Sequence, residues 1–501
     1  MGAETWAAGR ATHVVLMVWD GMRPDFVSDE TTPTLAAMAR QGVIFLHHHP
    51  AYPSMTEVNA TALATGVYPQ ESGIIGNSEY RPGIDPLKPS AMDALDVVRQ
   101  GDELTGKHYL AFPTVVEILQ DHGLRTAVAG SKPVALLYDR APRAPDSPGV
   151  DLFAESILPA GLGQSLTNLT GKCPPFWHNK IKRDEWTARA LTGFFWQDEI
   201  PAFSVLWMAE PDFSQHKTGP GSKASLAAIK SSDRNLARML DTLREKNALD
   251  STDVIVVSDH GFSTIIEGIK IPAELKARGF RAYTKFPGGN RKNGDIMVVG
   301  NGGEVACYVT GHDPEVITQL VHFFQSRPYV GVVFSQKPVE GTFPLTAVKI
   351  DSAYAPDVAI SMRWTPAQSK YGAPGMIFSD GGALGAGDGQ HATLSATDMH
   401  NMCVAFGPDF VKGMSDSLPT GNVDIAPTIL WLLGVEPKEK MSGRILSEAL
   451  TQAGPEVKAS APQHREAAWK GRNFVWQQYL DTSEVNGVVY LDQGNGAQIH
   501  R

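Results

Sequence analysis

Short apolar runs alternate with amphipathic stretches along most of the chain. The first apolar run is His13–Trp19, and similar runs lie at residues 202–208 and 253–258. Apolar residues at helical spacing mark Pro33–Gln41 and the long stretch 222–245. Further strands are predicted at residues 125–129 and 402–406, and further helices at residues 112–122 and 423–434. This alternation predicts an α/β fold, in which a mostly parallel sheet carries helices on both faces.

The pattern changes between residues 263 and 388, where glycine-rich turns separate shorter elements. Strands are predicted at residues 305–309 and 330–335, with a helix at 314–326 between them. This order indicates a small α+β cap inserted into the main domain, with a glycine-rich loop at residues 372–389.

The predicted organisation has three parts. Residues 1–262 and 389–454 are expected to form a discontinuous core, residues 263–388 the inserted cap, and residues 455–501 a C-terminal linker and packing segment. Within the last part, the polar stretch 455–470 is expected to be a linker, and residues 474–491 are expected to pack back as a helix and a strand.

Composition narrows the class of protein. The 501 residues are 42% hydrophobic, which is typical of a globular protein and argues against disorder. The formal net charge of −10 disfavours binding to nucleic-acid polymers, which requires a basic surface. Three cysteines are too few for a disulfide framework or a cysteine zinc cage. A metal site would therefore use histidine nitrogens and carboxylate oxygens.

No cellular address is visible in the sequence. No apolar run approaches the roughly 18 residues that span a bilayer. The first six residues, MGAETW, lack the charged and apolar regions of a secretory signal, and Trp6 disfavours myristoylation at Gly2.

Acidic and histidine residues follow several predicted strands. Asp20 follows the first strand, Asp212 and His216 follow the strand at 202–208, and Asp259 with His260 follows the strand at 253–258. Ligands of open α/β sheets bind at the carboxyl ends of the strands, so these side chains can meet in one cleft. Mixed carboxylate and imidazole ligation suits Zn²⁺ or a related divalent ion. Taken alone, an adjacent Asp-His pair after a strand is more often a cap or a turn, and Asp212 with His216 is no better than an even choice.

A candidate nucleophile lies in the segment HPAYPSMTEVNATALATGVYP at residues 49–69. Thr56 precedes a helical pattern, and a hydroxyl at a helix N-terminus lies at the positive end of the helix dipole. The plainer interpretation is that Thr56 is an ordinary N-cap and Ser54 a turn residue, and the local sequence favours it. The run His47–His49 is interpreted as a segment leading to this loop, with one ring lining the cleft.

Taken together, these motifs match a known family. They are HVVLMVWDG at 13–21, TPTL at 32–35, TGVYP at 65–69, EPD at 210–212 with His216, SDHG at 258–261, His391, FGP at 406–408 and VDIAPT at 423–428. The chain resembles the type I phosphodiesterase/nucleotide pyrophosphatase family of the alkaline phosphatase superfamily, with the insert weakly matched.

The resemblance implies an alkaline phosphatase-like core and two divalent metal ions, usually zinc. By motif, Asp212, His216 and His391 would hold one ion, and Asp20, Thr56, Asp259 and His260 the other. The family's threonine nucleophile matches Thr56. The asparagine that contacts a phosphoryl oxygen matches Asn77, which closes GIIGN, and Asn59 matches a structural asparagine.

Two residues near the candidate site differ from the pattern of the nucleotide-cleaving relatives, namely Glu57 and Lys132. Glu57 stands where those relatives carry a phenylalanine that stacks on the base, so a carboxyl group lies near the substrate. Lys132 lies where phosphonoacetate hydrolase-like relatives hold a substrate anion, and a solvated surface lysine is the alternative there.

The sequence therefore predicts a metal-dependent hydrolase of phosphodiester or pyrophosphate bonds that acts through a phospho-threonine on a small-molecule phosphate ester. A phosphonate hydrolase or phosphate monoesterase on the same scaffold is the alternative, motivated by Glu57 and Lys132. An inactive family member that serves as a binding protein is disfavoured, because every expected ligand is present. The sulfatase alternative fails, because no cysteine or serine near Thr56 lies in the required motif. The resemblance also implies a periplasmic or secreted location.

Overall fold

A nine-stranded sheet forms the centre of the protein. The computed structural model describes residues 9–140, 148–175, 180–288 and 291–500. From edge to edge the strands are Met414–Gly421, Val43–His49, Cys403–Phe406, Thr252–Val257, His13–Trp19, Phe203–Met208, Thr126–Gly130, Gly149–Phe153 and Ser156–Leu158. The neighbours are mostly parallel, and only Cys403–Phe406 and the edge strand Ser156–Leu158 run antiparallel to the strands beside them.

Both faces of this sheet are covered. Alternate residues of the first strand enter two different hydrophobic clusters, with Val14 and Leu16 in one and Val15 and Met17 in the other. A strand of a parallel sheet that is apolar on both faces is typically buried on each side by helices. The α-helices are Pro33–Gln41, Thr56–Thr65, Pro69–Ser72, Leu95–Thr105, Val115–Asp121, Gly163–Thr170, Lys180–Arg189, Asp212–Thr218, Lys223–Glu245, Ile271–Ala277, Pro314–Gln325 and Ile425–Leu432. Among the described residues, no helix has the length and apolarity needed to cross a membrane.

The predicted elements of this sheet and its helices are confirmed, with ends that differ by a few residues at most. The strand Val43–His49 was not predicted, because its three histidines interrupt the apolar pattern. In the sheet, His48 is buried and bonds Thr420 and Asn422, while His49 pairs with Asp492. The three histidines therefore end a strand, and this strand leads to the loop before Thr56.

Residues 263–388 contribute two smaller sheets. The six-stranded sheet has the order Ala282–Tyr283, Ile296–Gly300, Glu304–Val309, Val358–Met362, Val330–Ser335 and Phe343–Pro344. The four-stranded sheet has the order Trp364–Gln368, Pro374–Ser379, Ser263–Gly268 and Gly389–Gln390. The stretch 372–389 is thus not simply a loop, because Pro374–Ser379 pairs on both sides. The division of the chain into core and cap stays a prediction.

The C-terminal part is a three-stranded antiparallel sheet of Gln463–Lys470, Phe474–Val485 and Val488–His500. The prediction of a linker through residue 470 followed by a helix is therefore wrong. Alternate residues Trp476, Gln478 and Leu480 are buried. This period of two is typical of a strand with one covered face, and the polar Gln478 at a buried position obscures it in the sequence.

Candidate active site

Three neighbouring strands deliver acidic side chains to one edge of the central sheet. His13–Trp19 lies between Phe203–Met208 and Thr252–Val257 and runs parallel to both. Asp20, Asp212 and Asp259 follow these three strands, and the backbone N–H of Asp212 donates to the carbonyl of Asp20 at 2.9 Å. The carboxyl ends of parallel strands thus bring the three aspartates together.

The first group of donor atoms belongs to Asp212, His216 and His391, and these atoms lie within 4.8 Å of one another. Asp212 Oδ1 lies 3.1 Å from His216 Nε2 and 3.7 Å from His391 Nε2. The other ring nitrogens are oriented by main-chain carbonyls, with His216 Nδ1 3.0 Å from Gly389 O and His391 Nδ1 2.7 Å from Ser54 O. Such carbonyl contacts hold the Nε2 atoms toward the cleft.

The second group contains Asp20, Asp212 and His260, again within 4.8 Å. His260 Nε2 lies 3.6 Å from Asp20 Oδ1, 3.3 Å from Asp259 Oδ2 and 3.4 Å from the Thr56 hydroxyl. Asp212 belongs to both groups and so lies between them. The structure therefore brings together all seven side chains that the family resemblance implies as ligands.

Buried carboxylate oxygens in this cluster fit a bound cation. Asp20 Oδ1 and Asp259 Oδ2 are fully buried and receive no hydrogen bond from the part of the chain that the structure describes, and the buried Asp212 Oδ1 has His216 Nε2 beside it. An unpaired buried carboxylate oxygen is costly, and each of these atoms lies beside an imidazole nitrogen. Oxygen and imidazole donors of this kind suit a borderline divalent ion such as Zn²⁺.

The electrostatics of the site favour the neutral, ligating forms of His260 and His391, whereas the neighbouring Asp212 raises the pKa of His216 although burial opposes it. Burial lowers the pKa of His260 to about 4 and places the pKa of His391 well below its usual range. Burial raises the pKa of Asp20 to about 6, and burial together with Asp20 raises that of Asp259. Although burial opposes it, Lys132 with His216 holds the pKa of Asp212 well below its ordinary value.

Thr56 is the first residue of the helix Thr56–Thr65, and Met55 occupies the N-cap position. The plainer interpretation of Thr56 as an N-cap is therefore wrong. Its side chain is almost fully buried and contacts His260, whereas the Ser54 hydroxyl donates to the carbonyl of Thr393 at 3.1 Å. Of the two hydroxyls, Thr56 is the one that contacts the cluster, and it lies at the positive end of the helix dipole.

The two asparagines have different surroundings. Asn77 Oδ1 accepts from the backbone N–H of Glu57 at 3.1 Å, which holds its side chain next to Thr56. Asn59 is buried and bonds the main chain of Ala51 and Met55. Asn59 thus fixes the turn before the helix, as its predicted structural role requires.

Glu57 and Lys132 border the cluster. Burial and the neighbouring Asp93 raise the pKa of Glu57 well above its ordinary value. Lys132 follows the strand Thr126–Gly130, and its ammonium group donates to Asp20 at 2.7 Å and to Asp212 at 3.2 Å. Only 18% of the Lys132 side chain is exposed, so the alternative of a solvated surface lysine is wrong. The substrate-binding roles of Glu57 and Lys132 stay predictions.

Two residues of the site carry no signal in the sequence. The indole Nε1 of Trp207 donates to Asp20 Oδ2 at 3.0 Å. Trp207 lies within the strand Phe203–Met208, whose apolar sequence predicts a buried strand and no site residue. Asp93 lies close enough to raise the pKa of Glu57, and it comes from an irregular segment before the helix Leu95–Thr105. Both contacts depend on tertiary packing, which local sequence patterns do not show.

Comparison with known proteins defines the class to which this fold and site belong. The family model described as type I phosphodiesterase / nucleotide pyrophosphatase matches residues 14–320, more than half of the chain. The chain belongs to this family.

Individual relatives are distant. The chain is 26% identical over 277 residues to ectonucleotide pyrophosphatase/phosphodiesterase family member 7 of Rattus norvegicus, covering 55% of this chain and 54% of that protein. It is 24% identical over 249 residues to family member 1 of Homo sapiens, and the match covers 49% of this chain and 23% of that protein. It is 25% identical over 260 residues to a venom phosphodiesterase of Macrovipera lebetinus, and the match covers 50% of this chain and 26% of that protein. The chain therefore spans about half the length of the first relative and less of the others.

Solved structures share the fold. Murine ectonucleotide pyrophosphatase/phosphodiesterase 5 superposes with a TM-score of 0.60 at 17% identity, covering 88% of this chain and all of that one. The human counterpart gives the same values. So does an inactive threonine-to-alanine form of the murine protein in complex with AMP. The predicted alkaline phosphatase-like α/β fold is confirmed.

Proposed function

We propose that the protein hydrolyses phosphodiester or pyrophosphate bonds of small-molecule phosphate esters through a phospho-threonine intermediate. The observation that carries this proposal is the position of Thr56, whose hydroxyl lies 3.4 Å from His260 Nε2 at the edge of two overlapping donor groups. Membership of a family named for phosphodiesterase and nucleotide pyrophosphatase activity supports the reaction class.

The donor set supports a two-metal site. Asp212, His216 and His391 would hold one ion, and Asp20, Thr56, Asp259 and His260 the other. Two divalent ions held there, which we propose to be zinc, would stabilise the attacking and leaving oxygens of an in-line displacement.

The chain's own residues then have defined roles. Thr56 Oγ1 attacks the phosphorus, a Thr–O–P bond forms, and the bond to the leaving oxygen breaks as the threonine proton passes to solvent. The amide of Asn77 donates to a phosphoryl oxygen, with its orientation held by the bond from Glu57 N to Asn77 Oδ1. Attack by water on the same phosphorus releases phosphate monoester and restores the Thr56 hydroxyl.

A phosphonate hydrolase or phosphate monoesterase is the second candidate. Lys132 favours it, because an ammonium group has three N–H donors and Asp20 and Asp212 use two of them. The third can bind a second anionic group of a substrate, as phosphonoacetate would provide.

Two measurements on the purified protein test these proposals. Metal analysis should give close to two zinc ions per chain, and removal of zinc with a chelator should abolish turnover until zinc is restored. Turnover of bis-p-nitrophenyl phosphate, a nucleoside phosphodiester, p-nitrophenyl phosphate and phosphonoacetate should then be compared at one pH. Preference for either diester supports the first proposal, whereas equal or better turnover of the monoester or the phosphonate supports the second.

We also propose a periplasmic or secreted location. Relatives are named as ectonucleotide enzymes and venom phosphodiesterases, and a zinc hydrolase of scavenged phosphate esters suits such a compartment. Fractionation of cells that express the full natural gene, with activity measured in each fraction, tests this location.

A further inference from the structure

We propose that Lys132 is an internal cation that holds the two carboxylates shared with the metal site in place and lowers the affinity of the site for metal. The proposal rests on the proposed two-metal function, because it concerns how Asp20 and Asp212 are oriented toward the ions.

The geometry divides the oxygens of these carboxylates into two sets. Lys132 Nζ lies 2.7 Å from Oδ2 of Asp20 and 3.2 Å from Oδ2 of Asp212. The opposite atom, Oδ1, of each aspartate lies next to the histidines, 3.6 Å from His260 Nε2 for Asp20 and 3.1 Å from His216 Nε2 for Asp212. Each carboxylate thus turns one oxygen to the ammonium group and the other to the candidate ligands.

The two oxygens of each carboxylate have different partners. Asp20 Oδ2 accepts from both Lys132 and Trp207, and Asp212 Oδ2 accepts from Lys132. Asp20 Oδ1 receives no hydrogen bond from any residue in the described ranges, and Asp212 Oδ1 contacts only the candidate ligands His216 and His391 among the ion pairs of those ranges. Lys132 can therefore stay bound to the Oδ2 atoms while the Oδ1 atoms coordinate metal. The lysine orients the carboxylates without occupying their coordinating oxygens.

The contact of Lys132 with Asp20 and Asp212 is shielded from water, which strengthens the attraction between the charges. Asp20 is fully buried, Asp212 nearly so, and Lys132 is mostly buried between them. Asp259 and Glu57 add two further acidic groups within the electrostatic reach of Lys132. Without metal, the ammonium group is a positive charge in direct contact with this acidic cluster.

Two opposite effects on stability and affinity follow from the charge of Lys132. In the metal-free protein it compensates carboxylates that would otherwise repel one another, so its loss should lower the melting temperature. In the metal-bound protein it lies close to two divalent ions and repels them, so its loss should tighten metal binding. A purely structural lysine predicts the reverse for affinity, because a disordered site binds metal more weakly.

The test compares wild type with Lys132→Met, which keeps much of the side-chain length without the charge, and with Lys132→Gln. Zinc dissociation constants are measured by competition with a chromophoric chelator, and melting temperatures are measured with and without zinc. We expect both variants to bind zinc at least about tenfold more tightly than wild type and to melt at lower temperature without zinc. The increase in melting temperature on adding zinc should then be larger in the variants, by linkage.

Two controls define the outcome. Lys132→Arg retains the positive charge and should bind zinc with an affinity closer to that of wild type than the Met and Gln variants do. Lys230→Met removes a surface lysine whose Nζ lies 3.9 Å from Glu30 Oε1, and it should leave zinc affinity unchanged. The visible spectrum of the cobalt-substituted protein should show the same ligand set in wild type and Lys132→Met.

Weaker or equal zinc binding by Lys132→Met and Lys132→Gln would overturn the proposal, as would equal affinities of the Met and Arg variants. Failure of wild type itself to bind zinc would instead overturn the proposed two-metal function. The readout is metal affinity, so it does not depend on knowing the substrate.

Discussion

The imidazole rings of His260 and His391 are stacked, with their centroids 3.7 Å apart and their planes 18° from parallel. Each ring is oriented through Nδ1 by a main-chain carbonyl, Gly261 O for His260 and Ser54 O for His391. His391 follows the predicted insert, whereas His260 precedes it, so the chain returns to the same point after building the cap. Two positively charged imidazoles at this distance would repel each other, and the lowered pKa values of both rings disfavour that state.

Thr56→Ala should lower kcat for the best phosphodiester substrate by at least about a thousandfold, because it removes the proposed nucleophile. Thr56→Ser should retain measurable turnover, since it keeps an attacking hydroxyl. The matched control is Ser54→Ala, which deletes a hydroxyl two positions away that bonds Thr393 instead of the cluster. Full turnover by Thr56→Ala after zinc reconstitution would show that another group attacks phosphorus.

Asn77→Ala should reduce kcat by about 10²–10³-fold, the usual effect of deleting one donor to a developing oxyanion. Its melting temperature should change little. Asn59→Ala should behave in the opposite way, with a lowered melting temperature, because this buried side chain bonds the turn at Ala51 and Met55. Steady-state kinetics and thermal melting of both variants check this contrast, and Asn168→Ala on an exposed helix is the neutral control. Equal loss of stability in both variants would contradict the assignment of separate roles.

Glu57→Phe should shift preference toward nucleoside phosphodiesters, because an aromatic ring beside Thr56 offers a face on which a base can stack. Stacking of this kind contributes about 1–3 kcal/mol, so kcat/KM for the nucleoside diester should rise by about fivefold or more relative to an alkyl diester. Glu57→Leu is the matched control, since it removes the carboxyl group without adding an aromatic face. If the two variants change the ratio of kcat/KM equally, then loss of the acid and not stacking determines the preference.

Asp253 should make the fold less stable as pH rises. Burial and the neighbouring Asp409 raise the pKa of Asp253 from its ordinary value of 3.8 to about 8. Between these two values the folded protein keeps a proton that the unfolded chain has released, so the free energy of unfolding falls with increasing pH. Asp253→Asn lacks this titration and should lose less stability between pH 5 and pH 8.5.

Calorimetric melting at constant ionic strength measures this pH dependence. Asp241→Asn, in an exposed pair with Arg244, should retain the wild-type slope. An unchanged slope in Asp253→Asn would assign the pH dependence to other groups.

Much of the site could be predicted because its residues follow strands whose apolar patterns are unambiguous. Asp20, Asp212 and Asp259 follow three such strands, and the parallel order of the sheet brings them to one edge. Ser54 and Thr56 could not be separated by local sequence, because only the three-dimensional structure shows which hydroxyl contacts His260.

Other features depended on contacts between distant segments. The bond from Trp207 to Asp20 and the position of Lys132 between two aspartates have no local signature. The strand Val43–His49 and the C-terminal sheet were missed for a different reason. Polar side chains at their buried positions bond neighbouring elements, as His48 does with Asn422 and Gln478 with Val333, and so mask the apolar period.

The C-terminal sheet contacts both larger parts of the molecule. Gln478 exchanges two hydrogen bonds with the main chain of Val333 in the six-stranded sheet, while Tyr490 donates to Asp424 and Tyr68 donates to Val489 on the side of the central sheet. A ribosome therefore synthesises the strands of the central sheet and of the insert before it synthesises the segment that hydrogen-bonds to both. Until that segment emerges, the nascent chain has only the direct contacts between the two parts, such as the bond from Gly303 N to His391 O.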